Sequence, residues 1–279
     1  RIYCGIIADN TYLYLGTDNG ILVYNYRTDK YEQPDTDFPT DVRTMVLQGD
    51  TLWIGSLNGL YTYQLKSRQL NHFDSKQTGL PHNTIYSVIQ TKDNQIYIGT
   101  YNGLCRYVQA SGKFENILLP VNRGGSNLFV NSLLEDTTRQ CIWIGMEGYL
   151  FQYNPTIGEM KAIEVFHNNS IKSLALDGDE NLLAGTDNGL YVYQNDKEPL
   201  QHIIHDSRNI QSLTNNIIWN IFSDQEHNIW LGTDYGISLS RYNSALQFVP
   251  ISQITGTGDG NQFYSLFRDS KGFYWFGGT

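Results

Sequence analysis

Ile229-Trp-Leu-Gly-Thr-Asp-Tyr-Gly236 sets an apolar triplet before one glycine and a short polar run before a second. The octet recurs without gaps at Leu13-Tyr-Leu-Gly-Thr-Asp-Asn-Gly20, Leu52-Trp-Ile-Gly-Ser-Leu-Asn-Gly59, Ile96-Tyr-Ile-Gly-Thr-Tyr-Asn-Gly103 and Leu182-Leu-Ala-Gly-Thr-Asp-Asn-Gly189. Ile142-Trp-Ile-Gly-Met-Glu-Gly148 brings the second glycine one place early, and Phe273-Tyr-Trp-Phe-Gly-Gly-Thr279 starts a further copy. The first glycines, Gly16, Gly55, Gly99, Gly145, Gly185, Gly232 and Gly277, are 39 to 47 residues apart. A period in the forties with strand-like content marks propeller blades.

Outward from the octet, each unit reads as a four-stranded meander. The triplet is apolar at successive positions because a blade is covered on both faces, which removes polar alternation. Asn-Gly pairs at 19–20, 58–59, 102–103 and 188–189 are expected to supply positive φ to tight hairpins. A strand also precedes each octet, as in Gly5-Ile-Ile-Ala-Asp9, Ser132-Leu-Leu-Glu-Asp136, Ser173-Leu-Ala-Leu-Asp177, Asn220-Ile-Phe-Ser-Asp224 and Ser265-Leu-Phe-Arg-Asp269. The closing Asp suits a cap on turn N–H groups. The opening residue is small, as crowding of innermost strands demands. No window of a dozen residues has helical periodicity. The expectation is an all-β, seven-bladed β-propeller of four-stranded antiparallel blades, a single domain over 1–279. Its blades fall at about 1–40, 41–81, 82–126, 127–168, 169–214 and 215–260, with a truncated last blade at 261–279.

Composition narrows the function. A net charge of −9 and a pI near 5.0 give no basic footprint for nucleic acid or anionic lipid. No apolar run is long enough to span a membrane, and Arg1-Ile-Tyr-Cys4 is not a secretory signal. Cys4, Cys105 and Cys141 are an odd count without a CxxC pair, so packing thiols are expected, not a disulfide framework or a zinc site. Asp177-Gly-Asp-Glu-Asn181 lacks the glycine and distal glutamate of a calcium loop. No metal or cofactor is expected.

Because the octet recurs for architecture, function belongs to what varies. The residue before the small opening position is Cys4, Arg43, Tyr86, Asn131, Lys172, Trp219 or Tyr264. The last six are the candidate ligand-binding set, with Trp219 and Tyr86 foremost; packing between blades is the competing reading. An anionic ligand would need a basic spot such as Arg43 with Lys172. Catalysis is not expected: the carboxylates Glu135, Asp136, Glu147 and Glu164 fall on turns and edges without convergence, and Asp269-Ser-Lys-Gly272 is one residue too long for a sialidase-type Asp box.

Ser212-Leu-Thr-Asn-Asn-Ile-Ile-Trp-Asn-Ile-Phe-Ser-Asp-Gln-Glu-His-Asn-Ile-Trp-Leu-Gly-Thr-Asp-Tyr-Gly-Ile237 closely resembles the two-component regulator propeller repeat, and the likeness covers the whole chain. The resemblance implies the periplasmic sensor region of a membrane-anchored hybrid histidine kinase, with any kinase activity outside this chain. It further implies an oligosaccharide ligand, and, as partners, the receptor's remaining sensor domains and a second copy in a homodimer. A protein-interaction scaffold and a polysaccharide-active hydrolase or lyase stay open as alternatives.

Overall fold

The computed structural model describes residues 1–8, 11–32, 34, 36–121, 128–163, 169–194, 197–242, 246–256, 262–269 and 271–278. Asp9, Glu164 and Thr279 lie outside them. The chain forms two compact units, Arg1–Glu135 and Asp136–Thr279, each treated by itself below.

The first sheet is β1 (Ile2–Ala8), β2 (Tyr12–Thr17), β3 (Gly20–Asn25) and β4 (Lys30–Glu32). The second is β5 (Val42–Gln48), β6 (Thr51–Ser56), β7 (Gly59–Gln64) and β8 (Leu70–Phe73). After the short helix α1 (Ser75–Thr78) comes the third, β9 (Ile85–Gln90), β10 (Ile96–Thr100), β11 (Gly103–Val108) and β12 (Lys113–Ile117). The fourth is β13 (Val130–Asp136), β14 (Cys141–Met146), β15 (Leu150–Asn154) and β16 (Glu159–Ile163). The fifth is β17 (Ile171–Leu176), β18 (Leu182–Thr186), β19 (Gly189–Gln194) and β20 (Lys197–Ile203). The sixth is β21 (Ile218–Ser223), β22 (Ile229–Thr233), β23 (Gly236–Ser240) and β24 (Val249–Pro250). The short helix α2 (Ile251–Thr255) then precedes a two-stranded sheet, β25 (Phe263–Arg268) and β26 (Tyr274–Gly278). These are propeller blades, each a meander in chain order, and the four-stranded pattern is complete six times among the described residues. The two helices, not expected from the sequence, are single turns of four and five residues, too short to print a 3.6-residue period.

Within each unit the first strands of successive sheets lie side by side, β1 with β5 and β5 with β9, β17 with β21 and β21 with β25. The octet's first glycine allows this approach. A Cβ on Gly16, Gly55, Gly145 or Gly185 would stand 2.6–2.7 Å from Val42, Ile85, Ile171 or Ile218 of the next sheet. The second glycine has the other duty. Gly20 takes φ 111° while Asn19, Asn58, Asn102 and Asn188 do not turn positive. The positive φ therefore falls on the glycine that pairs with the Thr or Ser before the turn, in unbroken register, and not on Asn within the turn as the mirror-image turn expected from Asn-Gly requires. Thr17 Oγ1 staples it, donating to the Gly20 carbonyl at 3.0 Å and accepting from Asn19 N–H at 3.1 Å. Ser56, Thr100, Thr186 and Thr233 repeat this staple.

The closing Asp caps as expected and does more. Asp224 Oδ1 accepts the N–H groups of Glu226 and Asn228 at 3.0 and 2.8 Å. Its Oδ2 accepts Trp230 Nε1 at 2.8 Å and the Tyr274 hydroxyl at 2.7 Å. Trp143 and Trp275 donate in the same way to Asp136 and Asp269, each at 3.0 Å. Burial works to raise the Asp224 and Asp136 carboxyls, but these bonds, joined at Asp136 by Arg139, hold both below the ordinary value. A folded-state pKa below the unfolded one contributes stability that is full above the unfolded value, about 3.9, and is lost as pH falls through the folded value. Melting temperature should therefore drop as pH is taken from about 4 downward, and drop less steeply in Asp224→Asn; equal acid sensitivity of the two proteins would refute the assignment.

Strands two and three carry the core. Ile96–Thr100 and Leu182–Thr186 are buried at every residue, as two-sided cover predicts. Cys4, Cys105 and Cys141 are free thiols. Burial pushes Cys4 up to about 12 and Cys141 up to about 11, away from the thiolate form that a reactive cysteine needs.

Candidate functional site

Five of the six candidates stand at β-bulges. In β5, β9, β17, β21 and β25 the register slips by one residue between Val42 and Thr44, Ile85 and Ser87, Ile171 and Ser173, Ile218 and Asn220, and Phe263 and Ser265. Arg43, Tyr86, Lys172, Trp219 and Tyr264 are the residues left over. A bulge frees its extra residue from the ladder and re-aims the side chain, so each strand shows one residue without changing its pairing. In β1 the slip falls between Ile2 and Cys4, and Cys4 faces Gly16. The bulged residue there is Tyr3, and the small opening residue is Cys4, one place before the Gly5 expected from sequence. A count of twelve back from the first glycine gives Ser87 from Gly99, Ser173 from Gly185, Asn220 from Gly232 and Ser265 from Gly277. It likewise gives Cys4 from Gly16, which points to Tyr3, although the spacing is eleven at Thr44 and thirteen at Ser132.

Within Arg1–Glu135, the Arg43 guanidinium lies 3.8 Å from the Tyr3 ring centroid and 3.5 Å from Asp41 Oδ1. Its Nε is buried without a hydrogen bond. Tyr86 meets Phe129, which packs edge-on against Tyr101 at 4.3 Å. Burial, with Tyr101 beside it, raises the Tyr86 hydroxyl, and Arg43 opposes the shift. Asn131, half-buried in β13, holds the corresponding position before Ser132.

Within Asp136–Thr279, three candidates touch. The Lys172 ammonium sits 4.4 Å over the Trp219 ring, and the Tyr264 ring lies 5.3 Å from Trp219 at 60°. Sequence reasoning missed the polar brace behind them. Trp219 Nε1 donates to Asp234 Oδ1 at 3.0 Å, Gln262 Nε2 donates to the same oxygen at 2.6 Å, and the Tyr264 hydroxyl donates to Gln262 Oε1. Asp234 follows the Thr of its octet, so this position, which also holds Glu147 and Asp187, was legible as variable. Burial lowers the Lys172 ammonium, and Asp187, Asp234 and Glu147 oppose that. Arg43 and Lys172 are thus each compensated by carboxylates of their own unit, which weakens the expectation of a basic spot for an anion. Half-buried rings with carboxylate and amide oxygens beside them suit a neutral, hydroxyl-bearing ligand.

Two of the carboxylates weighed for catalysis, Glu135 and Asp136, have structural partners. Glu135 accepts Lys92 N–H at 2.9 and 3.1 Å. Asp136, 0% exposed and held below its ordinary pKa, is shifted opposite to a general acid. Asp269, in the Asp-box-like turn, caps Lys271 and Phe273 at 2.9 Å.

The family profile described as "Two component regulator propeller" matches residues 79–102 and 212–235, each a stretch entering an octet. The chain carries two-component regulator propeller repeats. The chain is 82% identical to a solved chain from B. thetaiotaomicron, at a TM-score of 0.85, over 99% of its own length and 37% of that chain. That relative is described as the extracellular domain of BT4673, assigned as a one-component or hybrid two-component system. "Histidine kinase P4" of Formosa agariphila is 26% identical over 161 residues, 51% of this chain and 11% of that protein. The chain therefore spans little over a third of its solved relative and about a tenth of the kinase. Virginiamycin B lyase from Staphylococcus aureus shares the fold alone, at 14% identity and a TM-score of 0.72.

Proposed function

We propose that the chain is a non-enzymatic, ligand-sensing propeller in the periplasmic part of a membrane-anchored hybrid two-component receptor. Its ligand is an oligosaccharide, its partners are the receptor's other sensor domains and a second copy, and β25–β26 begin a seventh blade. The observation that carries this reading is the 82% identity over 99% of the chain to a domain described as the extracellular part of such a system. The bulge positions support it, because they place rings and oxygens of different kinds at one recurring point of each first strand. In the mechanism, oligosaccharide bound at the bulge residues favours one arrangement of the dimer, and that preference passes to the kinase.

Calorimetry of the full-length receptor against a panel of glycan oligosaccharides, with kinase autophosphorylation as a second readout, tests the proposal. A sugar that binds without turnover and changes phosphorylation is the expected result. Trp219→Ala should weaken that binding by about tenfold or more, as loss of a stacking ring does. Product formation would overturn the reading in favour of an enzyme, and silence across the panel would favour a protein-binding scaffold.

A further inference from the structure

The far ends of the second and third sheets enclose a cavity of about 480 Å3, inside the range of about 300–1,000 Å3 typical of ligand pockets. It opens where the repeat is broken. Gln48 closes β5 at the place where Asp136, Asp224 and Asp269 close theirs. Gln48 Oε1 takes Trp53 Nε1 at 3.1 Å, and Gln48 Nε2 donates to the Asn94 carbonyl of the next sheet at 2.8 Å.

Other gaps between sheets are bridged by larger or charged groups. Arg139 Nη2 reaches the Glu180 carbonyl at 2.8 Å. Arg268 pairs with Glu226 at 2.9 Å. Tyr242 packs its ring on His227 at 5.1 Å and sends its hydroxyl towards Asp179. Between the fifth and sixth sheets a smaller cavity of about 310 Å3 remains beside Tyr242, with Asp177, Asp179, His227 and Arg241 in its wall. Between the second and third a neutral amide makes the bridge, and the larger space carries no charged side chain.

The walls define what fits. Trp53, 3% exposed, forms the back, with Phe73 stacked on it at 5.9 Å and Tyr107 edge-on at 4.9 Å. Phe73 and Tyr107 are half-buried and present ring surface. The remaining wall is amide and hydroxyl, with Gln64, Asn71, Gln95 and Gln109 foremost, and no Asp, Glu, Lys, Arg or His lines it. A charged ligand would be desolvated there without a counter-charge. A wholly apolar one would strand the amides. A ligand with an apolar C–H face and dense uncharged hydroxyls meets both demands.

We propose that this cleft is a binding site for a neutral saccharide, with Phe73 and Tyr107 as the stacking surface and Asn71 and Gln109 as rim contacts. It takes its ligand class from the sensor reading above, but it is separate from the bulge residues.

Saturation-transfer NMR and calorimetry on the full-length protein, with neutral hexose and pentose trisaccharides as probes, test it against trigalacturonate and a tripeptide. The double variant N71A/Q109A alters only exposed side chains, and Asn71→Trp fills the cleft from its rim. At least one neutral trisaccharide should bind, about tenfold more weakly to the double variant and not at all to Asn71→Trp, with the melting temperature unchanged in both. Failure of every neutral trisaccharide, equal binding by both variants, or tighter binding of the uronate or peptide would each overturn the proposal. Binding lost in Trp219→Ala alone would sink the cleft and leave the sensor reading standing. Cleft binding that leaves autophosphorylation unchanged would do the reverse.

Discussion

Trp143→Ala should destabilise the protein by about 3–5 kcal/mol, the range for emptying a large buried ring site. Trp143 is 0% exposed, packs edge-on against Tyr193 at 5.8 Å and donates to Asp136, itself fully buried. Removing it opens a cavity and strips one donor from a carboxylate that Arg139 continues to hold at 2.6 Å. Trp143→Phe separates the two effects. It keeps most of the packing and loses the hydrogen bond, so a cost of about 1.5–3 kcal/mol is expected for a bond to a charged group. Chemical denaturation of both variants at neutral pH measures this. A phenylalanine variant as stable as the parent would mean that the indole contributes volume alone.

The second large effect is at a strand glycine. Gly185→Ala places a methyl 2.7 Å from Ile218 Cγ2 and 3.3 Å from Ile221 Cδ1, in backbone that alanine otherwise tolerates. Overpacking of this kind costs about 1–3 kcal/mol. Ile218→Ala vacates the same space, so the double variant should be more stable than the two single costs added together predict, with a coupling of about 0.5 kcal/mol or more. Strict additivity would show that the clash relaxes by movement of the sheets and not at this contact.

These glycines show where sequence reading succeeds and where it stops. The period, the meander and the capping Asp are local, set by residues a few places apart, and each has its counterpart in the structure. The role of the first glycine is not local: its constraint comes from a strand roughly thirty residues further on, as Val42 is from Gly16. A pattern that repeats in every unit cannot say whether hairpin or neighbour imposed it. The shift from Cys4 to Tyr3 has the same origin, because a bulge inserts a residue that pairing ignores, and the pairing of Cys4 with Gly16 across two strands reveals it. The charge compensation of Arg43 and Lys172 and the brace on Trp219 depend on residues from different strands brought together. The cleft lies beside an exception to the closing Asp, Gln48, whose side chain reaches the next sheet, a contact that one strand's sequence does not contain.

The bulge at the head of β1, β5, β9, β17, β21 and β25 has an evolutionary consequence. Its residue takes no part in the ladder and is not held to the small size of its neighbour, so arginine, tyrosine, lysine and tryptophan occupy equivalent points of one chain. Scaffold and display are inherited separately. A scaffold built this way can exchange its displayed residues singly, one blade at a time, without changing the pairing of the strands that carry them.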